Sequence, residues 1–168
     1  MASLSGRLRT LGMAPRADIA GRDLSGLESV YRLNVRRVYT LCLRLLADAR
    51  LAEEATARAF ARFDREPPRA PGDERLTGLA VEESLARPGE AAGSENVPAA
   101  LQGIDALAAR LPGRLRAAFV LHDVEGMSAA AVARYMHVDE AAARLLIGEA
   151  RGALRRMGRG RGRSEHDR

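Results

Sequence analysis

Residues 111–157 read LPGRLRAAFVLHDVEGMSAAAVARYMHVDEAAARLLIGEARGALRRM. The pattern predicts a helix, a Gly-marked break at Gly126, a short helix, a tight turn and a longer helix. Ser128 is placed to cap the short helix, because its hydroxyl can accept from an exposed backbone N–H. Ala133 is small enough to let two helices cross closely. His137 stands where a left-handed residue ends such a helix, and His tolerates that conformation better than most non-Gly residues. Asp139 can cap the last helix, on which Ala143, Ile147, Ala150 and Leu154 share one inward face. The last two helices form a candidate helix-turn-helix, the geometry that lays a helix in the major groove of DNA.

Outward from that stretch the chain reads as all-α. Hydrophobic residues make up 46% of the 168, aromatics only 4%, and Trp is absent. Such a core is thin and rich in Ala and Leu, which suits packed helices, and no run of β-branched residues suggests a strand. Residues 1–23 are expected to be a disordered extension. Leu27, Val30, Tyr31, Val35, Val38, Leu41, Cys42, Leu45 and Leu46 recur at steps that define one face of a long helix. Asp48 opens the next helix, LAEEATARAFARF, whose inner face is Ala52, Ala55, Ala59, Phe60 and Phe63; the prolines at 67, 68 and 71 end it. A weaker helix is expected over 74–86. Residues 88–98, rich in Gly, Ser, Glu and Ala, read as a flexible linker between two small helical domains, 24–87 and 99–157. Helices are expected near 99–110, 112–123, 128–136 and 139–157, and the alternating Gly and Arg of 158–168 as a disordered basic tail.

Net charge is +5, and every one of the 27 basic residues is Arg. A GC-rich genome accounts for Arg and Ala usage, yet the basic excess also favours an acidic partner such as nucleic acid. The lone Cys42 excludes an internal disulfide and fits a reducing, cytoplasmic setting. No apolar run approaches the ~20 residues of a membrane span. His122, His137 and His166 lack zinc-ligand spacing, no Ser has a His and acid partner, and no Gly-rich phosphate loop follows a strand. No metal, cofactor or enzymatic activity is expected.

With these motifs in hand, the chain resembles a bacterial RNA polymerase sigma factor of the extracytoplasmic-function type. LPGRLRAAFVLHDVEGMS leading into AAAVARYMHV is similar to the family's C-terminal domain, which reads the promoter −35 element. VYTLCLRLLADARLAEEATARAFARF is similar to its first domain, which docks on core RNA polymerase and engages the −10 element. The resemblance implies polymerase contacts at Glu53, Glu54, Arg58 and Arg62. It implies DNA contacts at Ala142, Arg144, Leu145, Arg151, Arg155 and Arg156, with backbone contacts from Arg114 and Arg116. Core RNA polymerase and promoter DNA are the implied partners, and an anti-sigma protein is a further one.

Several positions depart from the family's pattern. Ala57 and Arg58 stand where Gln and an acid are common. DERLTGLAVEESLAR brings no aromatic or basic cluster to the segment that normally captures single-stranded DNA, a task that needs stacking and positive charge. Along the recognition helix, Ala142, Arg144, Leu145, Leu146, Gly148 and Glu149 replace mostly polar and basic residues. Arg144, Arg151 and Arg155 keep a phosphate-gripping stripe. Ala142 or Leu145 can contact a thymine methyl. Leu145 and Leu146 also suit a protein contact. The alternative function is therefore a degenerate sigma-like regulator that works through protein contacts without promoter melting.

Overall fold

The computed structural model describes residues 24–65, 72–86 and 97–164. The expected N-terminal extension and nearly all of the expected linker, residues 88–96, lie outside them. The described residues form seven α-helices: α1 (Leu24–Leu46), α2 (Ala49–Arg65), α3 (Gly72–Leu85), α4 (Gly103–Ala108), α5 (Gly113–Phe119), α6 (Ala129–Met136) and α7 (Glu140–Ser164). No strand occurs among them.

The first three helices pack as a bundle. The α1–α2 corner is tight: Ala47 takes a left-handed φ of 54°, and the Asp48 carboxylate accepts from the Leu51 N–H at 2.9 Å. That bond satisfies one of the N–H groups a helix start leaves unpaired. Ala52, Ala55 and Ala59 are fully buried on α2, and their small side chains bring α2 close to its neighbours. Bulk comes from Leu41 and Leu45 of α1, Phe60 of α2, and Leu76, Leu79 and Val81 of α3. The Tyr31 and Phe60 rings meet in a tilted pair, 4.9 Å between centroids. Buried hydroxyls are satisfied within their own helices: Thr56 donates to the Ala52 carbonyl and Ser84 to that of Ala80, each at 2.7 Å. Cys42 is wholly buried beside them, and burial pushes its thiol above its ordinary value of 9.0.

The second set, α4–α7, contains the helix-turn-helix with the caps the sequence predicts. Ser128 Oγ accepts from Ala131 N–H at 3.2 Å, and Asp139 Oδ1 from Ala142 N–H at 2.7 Å. His137 ends α6 with φ 53° and ψ 47°, and the Val138 N–H closes onto the Ala133 carbonyl at 3.1 Å. Three features differ from expectation. Helix α4 is only six residues long, shorter than the 99–110 pattern. Helix α5 opens after Phe119 into a wide π turn over Val120–Val124, with Glu125 N–H bonded to the Val120 carbonyl. Gly126, at φ 72°, then reverses the chain, and His122 Nδ1 lies 2.6 Å from the Met127 carbonyl. Helix α7 runs on to Ser164, so residues 158–164, expected as disordered tail, continue it.

The two helical sets are not held apart. One apolar cluster runs from Val38 and Leu41 through Leu101 and Leu111 to Val132 and Leu154. Arg44 of α1 bridges Asp105 of α4 at 3.0 Å and Glu125 at 3.5 Å. Tyr135 of α6 lies against Gly78 of α3 so closely that a Cβ there would sit 2.9 Å from the phenol oxygen. Burial, and then the nearby Glu82, raise the Tyr135 phenol above 10.0, with Arg134 opposing.

Arg116 is the central link. It is 3% exposed. Its guanidinium donates to the Leu45 and Leu46 carbonyls at 2.8 and 3.2 Å, and to those of Ala109 and Leu111 at 3.1 and 3.3 Å. Leu45 and Leu46 end α1, where helix carbonyls lack intrahelical partners and the dipole favours a cation. The expected DNA-backbone role for Arg116 is thus corrected: its donors are taken up by carbonyls inside the protein. Burial pulls its pKa below the usual arginine value.

Candidate nucleic-acid interface

Helix α7 buries Ala143, Ile147, Ala150 and Leu154 against α5 and α6. At 100° per residue this stripe turns Leu145, Glu149, Gly152 and Arg156 to the opposite side. Leu145 is 68% exposed, so neither helical set covers it. Leu146 and Ala142, on the flank, are half-buried. Leu145 also walls a shallow groove of about 610 Å³, lined by Leu115, Arg144, Gly148, Glu149, Gly152 and Arg156. The glycines open this groove: a Cβ at Gly148 would meet nothing within 4 Å. Sequence reasoning singled out the leucines but not the groove, although Gly148 and Gly152 one turn apart on an outward face were a visible signal.

The arginines expected on DNA are placed unequally. Arg144, Arg151 and Arg155 share one flank of α7, as the spacing predicts, and all are exposed. Arg144 is tied to Glu140 one turn earlier. Arg151 is held by Asp123 of the π turn, with Nε 2.9 and 3.2 Å from the two carboxylate oxygens; that bond raises its pKa. Arg155, Arg156 and Arg114 are exposed. Arg144 and Arg156 line the groove, with Glu149 as its acid.

The residues expected on polymerase divide in the same way. Glu53 and Arg58 are exposed on α2. Glu54 pairs with Arg50 at 2.6 Å. Arg62 turns instead toward α3, where it reaches Glu82 and Glu83, each at 3.0 Å. Those acids are therefore partly neutralised by an arginine from the neighbouring helix. Among the described residues no cluster of His, Cys, Asp and Glu could hold a metal ion, and no helix is long and apolar enough to cross a membrane.

Comparison with known proteins agrees with this geometry. Residues 101–154 match the family model for sigma-70, region 4, a stretch that takes in α4 to α6 and α7 as far as Leu154. No curated protein matches the sequence. Among solved structures, the fold is similar to the extracytoplasmic function sigma factor SigJ of Mycobacterium tuberculosis. The two are 24% identical with a TM-score of 0.57, over 79% of this chain and 53% of that one. This chain therefore spans about half the length of that protein. The α4–α7 stretch is thus similar to sigma-70, region 4.

Proposed function

We propose that the chain acts in transcription initiation by joining core RNA polymerase to promoter DNA. Helix α2 meets polymerase through its outward residues Glu53, Glu54 and Arg58. Helix α7 enters the major groove, with Arg144, Arg151, Arg155 and Arg156 on phosphates, Ala142 and Leu145 at base edges, and Arg114 on the backbone nearby. One observation carries this reading: the face of α7 opposite its buried stripe is open to solvent and bordered by arginines. Grip on phosphates gives salt-dependent affinity, with a slope set by the number of cations engaged. The cytoplasm is where such a protein works, and an anti-sigma protein is a natural regulator of it.

The test is co-purification of core polymerase with the full chain, followed by run-off transcription from a promoter found by selection. Run-off product, lost when Arg144 and Arg155 become Ala, is the expected outcome. Absence of both polymerase binding and salt-dependent DNA affinity refutes the reading. A second reading is a regulator that binds partners without opening promoters, favoured by the acids of α3. Glu82 is exposed there, and residues 72–86 contain no aromatic side chain. Permanganate footprinting separates the two: unpaired thymines near the start site support initiation, and protected DNA supports the regulator.

A further inference from the structure

Phosphate binding uses the arginine flank of α7, but the line farthest from the core carries different chemistry. Leu145 and Glu149 follow each other one turn apart on that line, exposed and unobstructed by side chains at Gly148 and Gly152. Among the described residues Glu149 has no hydrogen-bond or ion-pair partner. A carboxylate is acceptor-only, and DNA phosphates are acceptors too. On a duplex, Glu149 must therefore find a donor or weaken binding. In the major groove the donors are base amino groups, and cytosine N4 is the usual partner of a Glu. Leu145 has no hydrogen-bonding group. The apolar feature of the major groove is the thymine C5-methyl.

We propose that α7 reads one thymine and one cytosine, Leu145 packing on the thymine methyl and Glu149 accepting from the cytosine N4 amino group. Residues four apart on a helix are separated by about 6 Å along its axis, against ~3.4 Å per base step. The two bases therefore lie at most two steps apart. This specificity rests on the promoter-binding reading above. DNA suits the surface better than a protein helix does. Among the described residues Leu115 and Leu145 are the only large apolar side chains lining the groove, while Arg144 and Arg156 border it. A protein hot spot needs a clustered apolar anchor in a desolvated pocket.

The test uses the full chain, with and without core polymerase, in selection from random duplexes. The enriched site is then remade with deoxyuridine in place of thymine, which deletes only the methyl. The expected site holds T and C within two steps, and deoxyuridine weakens binding about fourfold, as for one buried methyl. Leu145→Ala then binds the T and U forms equally, and Glu149→Gln shifts the preference from cytosine toward adenine. An enriched site without this pair, or one indifferent to deoxyuridine, overturns the inference and leaves promoter binding standing. So does a Leu145→Ala chain that keeps the T-over-U preference but loses a protein partner. Failure to bind any duplex in either condition overturns the promoter reading itself.

Discussion

Replacing Arg116 by Ala is expected to destabilise the protein more than any surface arginine replacement. The guanidinium supplies hydrogen bonds to four backbone carbonyls, two at the end of α1 and two before α5. At ~1.5 kcal/mol for each bond from a charged donor, the gross loss is about 6 kcal/mol. Part returns, because the buried cation no longer pays desolvation, the effect that pulls its pKa down. Water entering the space left by the side chain also solvates some carbonyls. The net cost is about 3–5 kcal/mol, as for other groups whose removal strands buried partners. Arg116→Met keeps much of the side-chain volume but not the donors, so its cost falls only to about 2–3 kcal/mol. The assay is urea unfolding followed by circular dichroism. With a slope near ~2 kcal/mol/M, Arg116→Ala lowers the midpoint by about 2 M. A shift below about 0.5 M would refute the claim that this arginine ties the two helical sets together, because the four carbonyls would then need no donor.

Gly78→Ala is expected to bring no gain from helix propensity in the native chain, because its Cβ meets the Tyr135 hydroxyl at 2.9 Å. In a Tyr135→Phe background the same change should stabilise by about 1 kcal/mol, and a double-mutant cycle by thermal melting reads the difference. Asp123→Asn weakens the clamp on Arg151 and removes an acid beside it; DNA affinity should rise at every salt concentration, with the slope of log affinity against log salt unchanged because Arg151 is already on a phosphate. Ser128→Ala removes the cap of α6 and should cost about 1 kcal/mol in the same urea assay. Cys42 and Tyr135 are both held above their ordinary values of 9.0 and 10.0 by burial. Above those values the unfolded chain has lost protons the folded one keeps, so stability falls with rising pH. Their contribution is whole below pH 9 and lost beyond it, which urea midpoints taken from pH 8 to 11 would show.

Much of the C-terminal unit was legible because its signals are local. Ser128, His137 and Asp139 each act within a few residues of their own position, so cap and turn chemistry can be read from neighbours in the chain. The buried stripe of α7 was legible for a similar reason, since periodicity encodes a face. Arg116 was not legible. It is one of 27 arginines, and its partners at Leu45 and Leu46 lie some 70 residues away. Nothing local distinguishes it from Arg114, which is exposed two positions earlier. The π turn escaped notice for a related reason: a five-residue widening of a helix leaves the apolar pattern almost unchanged.

The split between the two levels follows from the range of the forces. Helix type, caps, turn and the apolar face of each helix depend on backbone sterics and periodic burial, and these are written into consecutive residues. So the helix-turn-helix and its kinship were readable in the chain of letters. Which arginines reach solvent, which carbonyls need a donor, and whether the two helical sets touch depend on contacts between distant segments. Tertiary packing decided those: it took Arg116 inside, turned Arg62 toward Glu82 and Glu83, clamped Arg151 on Asp123, and left Leu145 and Glu149 facing out across an open groove.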